Sequence, residues 1–90
     1  MNAMETLEGI KTKLRELRVP FYEKSSSQIY IEMGPEEKCI DICIVPHGPM
    51  HIVEAYDPVT EDISKYLIEV DEIINWVVPK YNAWKLLKKG

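Results

Sequence analysis

Long apolar runs are missing from this chain. No stretch approaches the roughly 18 consecutive residues that cross a bilayer, and no secretory leader is visible at its start. The expectation is a protein with no membrane role. Glycine is scarce, with 4 in 90 residues, and no cluster of it forms the loop that cradles phosphate groups. Cysteine is limited to Cys39 and Cys43. Four residues apart on one strand, their Cα atoms stand about 13 Å from each other, too far for a bridge. Thiols with no disulfide framework suit a reducing compartment, so the expected location is cytoplasmic. Internal repeats are absent, and the only biased stretch is Ser25-Ser26-Ser27.

What is present is ordinary for a small globular domain, with 46% hydrophobic and 29% charged residues. The domain is placed at residues 4–90, with the first three residues read as a vector-derived remnant. A chain of this size buries a modest share of its surface, which makes a homodimer the expected state. The net charge of −4 conceals an asymmetry. Residues 1–19 sum to +1, residues 20–57 to −5, residues 58–79 to −4 and residues 80–90 to +4. An acidic body repels phosphate backbones, which argues against general nucleic-acid binding.

Leu7, Ile10, Leu14 and Leu17 recur at helical spacing, and Pro20 disfavours continuation, so residues 4–18 read as an amphipathic helix. Phe21 to Ser27 reads as a connector. Gln28 to Met33 alternates, Gly34-Pro35-Glu36-Glu37 is a turn, and Cys39 to Val45 alternates again. Pro46-His47-Gly48-Pro49 reads as a second turn before a third strand from about Met50 to Tyr56. Pairing Met33 with Lys38 brings Ile31 to Ile40 and Ile29 to Ile42. Pairing Val45 with Met50 brings Ile42 to Val53 and Ile40 to Ala55. One sheet face then carries Ile29, Ile31, Ile40, Ile42, Ile44, Val53 and Ala55, a surface for two helices.

Ile63, Tyr66, Leu67, Val70, Ile73, Ile74 and Val77 share one face at helical spacing. Thr60 is the natural N-cap, with Glu61 and Asp62 in the first turn. This helix is expected to reach Val78 and to be kinked or broken at Pro79, with Tyr81 and Trp84 continuing its stripe. The predicted fold is α+β, a three-stranded antiparallel meander with two helices on one face, in the order α-β-β-β-α. Double-stranded RNA-binding domains share this element order, but they need a basic cluster where this chain has Thr60-Glu61-Asp62. No motif identifies a family.

Cys39, Cys43, His47 and His51 are spaced four apart, a pattern that suggests zinc but does not suit it. Strand geometry separates the two sulfurs too widely, and His51 faces away from Cys43, so neither metal nor cofactor is expected. Asp41 and Glu54 are expected opposite each other beside Tyr30, where paired carboxylates can divide acid and base roles. With no nucleophile and adjacent base alongside, the chain is read as a non-enzyme, the Asp41/Glu54 pair being the enzymatic alternative.

The outer sheet face is the stronger candidate, since it collects Tyr30, Cys39, Cys43, Val45, Met50, Ile52 and Tyr56 with few charges. A solvated face of an antiparallel sheet is normally more polar. Trp76 stands on the polar side of its helix and calls for a partner, either within the fold or outside it. The expected function is a protein-protein interaction or regulatory module, homodimeric, binding another protein through Tyr30, Ile52, Tyr56 and Trp76. The alternative is a nucleic-acid-associated protein using Lys80, Lys85, Lys88 and Lys89 around Tyr81 and Trp84.

Overall fold

The computed structural model describes residues 2–32, 38–58, 60–67 and 69–89, with backbone alone for 62–67 and 88–89. Helix α1 spans Ala3–Glu16, strands β1 to β5 span Tyr22–Ser25, Gln28–Glu32, Cys39–His47, Met50–Asp57 and Asp62–Leu67, and helix α2 spans Val70–Lys89. The strands form one antiparallel meander in chain order, β1-β2-β3-β4-β5. The α+β class and the antiparallel sheet agree with the sequence reading. The strand count does not, since the sheet has five strands instead of three.

Asn2 and Ala3 are part of the described fold. Asn2 caps α1, its Oδ1 accepting from the Glu5 backbone N–H at 2.8 Å while Glu5 Oε1 accepts from the Asn2 N–H at 3.4 Å. This reciprocal box satisfies two amide donors that a bare helix start leaves open. Ala3 packs against the core. The helix ends in a Schellman arrangement: Val19 N–H donates to Leu14 O at 2.9 Å and Arg18 N–H to Arg15 O at 3.1 Å.

Two strands stand where the sequence pattern predicts a connector and a helix. Tyr22–Ser25 is an edge strand whose four residues are all exposed, so no apolar alternation announces it. Its turn into β2 is held by the serines, with Ser27 N–H donating to Ser25 Oγ at 3.2 Å. The second is β5. Thr60 does not cap a helix; its Oγ1 donates to Asp57 Oδ2 at 3.0 Å inside a hairpin loop that pairs Asp57 with Asp62. Glu61 takes a left-handed φ of 58° to turn the chain. Helix α2 therefore starts at Val70, with Asp71 and Glu72 in its first turn, and Ile63, Tyr66 and Leu67 lie on β5.

Helix α2 runs without a break through Pro79. Proline removes one ladder hydrogen bond, to the carbonyl four residues earlier. That residue is Asn75, which is solvent-exposed, so water can take up the released carbonyl.

The β2–β3 register matches expectation, with Ile29 opposite Ile42 and Ile31 opposite Ile40. The turn expected at Gly34 to Glu37 lies outside the described residues. The β3–β4 register is tighter by two residues, pairing Ile42 with Ala55, Ile44 with Val53 and His47 with Met50. Strand β3 continues through Pro46 and His47, leaving Gly48-Pro49 as a two-residue loop. Gly48 at φ 61° supplies the positive angle that a type II′ turn needs at its first central position. A shift of two preserves which side chains face inward. Ile29, Ile31, Ile40, Ile42, Val53 and Ala55 are fully buried with Leu7, Ile10 and Leu14 of α1 and Ile73 and Val77 of α2, and Ile44 packs at the margin. Both helices therefore cover one face, and the other face of β2, β3 and β4 carries the candidate site.

Candidate functional site

Strand pairing lines up four side chains on the outer face. Tyr22 stands opposite Tyr30, Tyr30 opposite Asp41, and Asp41 opposite Tyr56, one row across β1, β2, β3 and β4. Glu32 and Cys39 form the next pair on one side, Cys43 and Glu54 a pair on the other. The row is the floor of an open groove of about 660 Å³, lined by Tyr22, Tyr30, Glu32, Lys38, Cys39, Asp41, Tyr56 and Pro58. That volume is within the range of small-ligand and side-chain pockets.

Electrostatics at the groove are set by Asp41. Gln28 Nε2 donates to its Oδ1 at 2.7 Å, which orients the carboxylate without neutralising it. Lys24 Nζ sits 5.3 Å from the Tyr30 ring centroid, so a groove tyrosine already receives an ammonium group. A hydrogen bond to the Tyr30 side chain and its electrostatic attraction, then the charge of Asp41, hold the Lys24 amine above its ordinary value of 10.5. The Cys43 thiol is pushed up, chiefly by burial and then by the charges of Asp41 and Glu54. It is therefore protonated at neutral pH, the opposite of an activated nucleophile.

Asp41 and Glu54 are not opposite each other. The tighter β3–β4 register pairs Asp41 with Tyr56 and Glu54 with Cys43, leaving the two carboxylates in a diagonal relation of about 7–8 Å along the backbone. Among the described residues no three His, Cys, Asp or Glu side chains converge on a point that could hold a metal ion.

Of the expected binding residues, Tyr30 and Tyr56 come together in the groove, whereas Ile52 and Trp76 do not join them. Ile52 pairs with Val45 farther along the sheet and is only 6% exposed. Trp76 is half-buried against the helix-side core, with Lys80 Nζ 4.8 Å above its ring. These are contacts that Trp76 makes within the chain. Tyr22 was missed, because it lies on the strand read as a connector. The signal was the tyrosine eight residues before Tyr30, across a three-serine turn.

Next to the groove residues Tyr56 and Pro58, Lys80 Nζ lies 3.3 Å from Asp57 Oδ2 and ties α2 to the β4–β5 hairpin. Lys85 Nζ sits 5.6 Å from the Tyr81 ring, and Leu86 and Leu87 are 72% and 80% exposed. No helix among the described residues is long and apolar enough to cross a membrane. Compared with protein-family models, curated proteins and solved structures, the chain matches none, so its site is read from its own geometry.

Proposed function

We propose that this protein is a non-enzymatic protein-binding module, cytoplasmic and homodimeric, that engages its partner through the outer face of its sheet. The observation that carries the reading is the Tyr22–Tyr30–Asp41–Tyr56 row, set in register across four strands on the face without helices. Tyrosine supplies large amphipathic contact area at low entropic cost, and it is enriched among residues that dominate binding energy. The Asp41 carboxylate, oriented by Gln28 and already attracting Lys24, adds a preference for a positively charged group. The raised Cys43 thiol and the diagonal setting of Asp41 and Glu54 support binding over catalysis. The half-buried packing of Trp76 supports a role for it in the fold.

The test is capture from nuclease-treated native lysate, comparing the parent with a Tyr30→Ala/Tyr56→Ala variant and with Trp76→Ala, bound material being identified by mass spectrometry. The reading expects the same protein on the parent and on Trp76→Ala, and its loss from the tyrosine variant. Retention by a folded tyrosine variant would refute the groove as the binding surface. Circular dichroism melts establish that each variant is folded.

A further inference from the structure

Resting on that reading, we infer that the groove is a cage for a methylated ammonium group, its ligand being a trimethylated lysine side chain of the partner protein. Tyr30 and Tyr56 flank Asp41 in one row of the sheet, from β2 and β4 on either side of β3. Neighbouring strands lie about 4.8 Å apart, so the two tyrosines stand about 9.6 Å from each other. Side chains rise roughly perpendicular to a sheet. A cation seated above Asp41 is then about 4.8 Å from each ring, inside the roughly 6 Å over which an aromatic ring attracts a cation. Tyr22, next in the row beyond Tyr30 and 60% exposed, adds a third ring to the groove wall. Asp41 supplies a carboxylate between the rings, held by Gln28 Nε2 at 2.7 Å.

The charges of the groove select the kind of cation. Glu32 and Asp41 on its lining are balanced by Lys38, also on the lining, and by Lys24 beside Tyr30. Long-range attraction for a polybasic ligand is therefore weak, and affinity must come from contact. An unmodified lysine ammonium is strongly hydrated and must shed that water to enter. Three methyl groups give the cation an apolar surface, which lowers this cost and packs against tyrosine rings. Lys24 marks the limit of the unmethylated case. Its Nζ lies 5.3 Å from the Tyr30 ring centroid, yet its side chain stays exposed and outside the groove lining. It also acts as a built-in competitor, because its charge repels a second cation at the same ring.

The experiment titrates the isotope-labelled full chain with acetyl-trimethyllysine amide and follows backbone amide chemical shifts. Shifts at Tyr22, Tyr30, Asp41 and Tyr56 should saturate with a Kd of about 1 mM. Acetyl-lysine amide, and the neutral isostere with a tert-butyl end, should each bind at least about ten-fold more weakly. Tyr30→Phe/Tyr56→Phe should keep the affinity within about two-fold, and Tyr30→Leu/Tyr56→Leu should lose at least about ten-fold, since the rings hold the cation. Lys24→Gln should tighten binding about two-fold or more by removing the competitor. Equal binding of the methylated probe and either analogue overturns the cage, as does the absence of groove shifts at about 20 mM probe. Tighter binding to phosphatidylcholine vesicles than to the lysine probe would assign the cage to a lipid headgroup and overturn the partner side chain. A lysate partner held through Tyr30 and Tyr56 but not released by the methylated probe would overturn this inference and leave the groove reading standing.

Discussion

Gln28 reaches across β2–β3 to hold Asp41, its Nε2 donating to Oδ1 at 2.7 Å in the middle of a row of tyrosines. The bond fixes the carboxylate's direction while leaving its charge in place, which is what recognition of a cation requires. Asp41→Asn separates these two properties. Asparagine keeps an oxygen to accept from Gln28 but carries no charge. We expect stability to change by no more than about 0.5 kcal/mol, while association weakens about ten-fold and loses part of its salt dependence. Thermal melts and sedimentation at two salt concentrations check both halves. Unaltered association would remove charge from the account of the groove.

Lys11 supplies a pH-dependent clamp between α1 and β1. Its buried ammonium lies 2.8 Å from both Glu8 Oε2 and Glu23 Oε1, and the Glu23 contact is the long-range one. Hydrogen bonding to Glu23, then to Glu8, raises the Lys11 amine above its ordinary 10.5. Hydrogen bonding to Lys11 lowers the Glu23 carboxyl below its ordinary 4.5. The lowered carboxyl stabilises the fold above its unfolded value, and that contribution disappears as pH falls through the folded value. The raised amine stabilises it below 10.5, and that contribution disappears as pH rises through the folded value. The clamp therefore works between about pH 4.5 and about pH 10.5. We expect Lys11→Met to melt below the parent at pH 7, with the gap closing on acidification past about pH 4. Faster hydrogen exchange of β1 amides should accompany it. A gap independent of pH would mean that Lys11 acts through its aliphatic stem alone.

The sequence disclosed the parts of this fold where pattern and environment coincide. Ile29, Ile31, Ile40 and Ile42 alternate and are buried on one face, so both their pairing and their side were legible. Val53 and Ala55 were placed on the correct face despite a register error of two residues, because a shift of two does not exchange faces. The error arose in the loop, where Pro46 looked like a turn residue. It is tolerated in β3 because β2 begins at Gln28, which pairs with Cys43, and Pro46 lies beyond that pairing. The helix stripe failed for a different reason. Ile63, Tyr66 and Leu67 fit a helical period by spacing, and Thr60-Glu61-Asp62 imitates a cap. The hairpin that overrides both depends on the Asp57–Thr60 hydrogen bond and the tertiary pairing with β4, which local spacing does not encode. The groove was legible in Tyr30 and Tyr56, but Tyr22 depended on recognising a strand with no buried residue.

Gly9 of α1 packs directly against Val70 of α2. A Cβ built there would lie 2.7 Å from Val70 Cγ2, well inside contact distance. Alanine at a helix interior normally gains about 0.5–1 kcal/mol over glycine. Here the forced displacement of a β-branched side chain opposes it, and overpacking typically costs about 1–3 kcal/mol. Net destabilisation by Gly9→Ala is expected, despite the better propensity. Gly9→Ala/Val70→Ala should recover most of the loss relative to Val70→Ala alone, giving a strong coupling in a double-mutant cycle. Denaturant melts of the four proteins measure it, and additive effects would show that the two helices do not meet at this pair.

Arg18 occupies the position after α1 at which helices favour glycine. Its φ is 58°, and its N–H donation to Arg15 O together with that of Val19 to Leu14 O completes the Schellman arrangement. Val19 at 4% exposure and Leu14 at 0% provide the accompanying apolar contact. A non-glycine residue pays about 1–2 kcal/mol for the left-handed conformation, part of which glycine returns through its greater freedom in the unfolded chain. Arg18→Gly is therefore expected to stabilise the protein by about 0.5–1 kcal/mol, raising Tm by several degrees in a domain of this size. Arg18→Ala controls for loss of the side chain and should show no such gain, because alanine retains the Cβ that makes this conformation unfavourable. Equal melting temperatures for the two variants would assign the effect to the arginine side chain instead of the backbone angle.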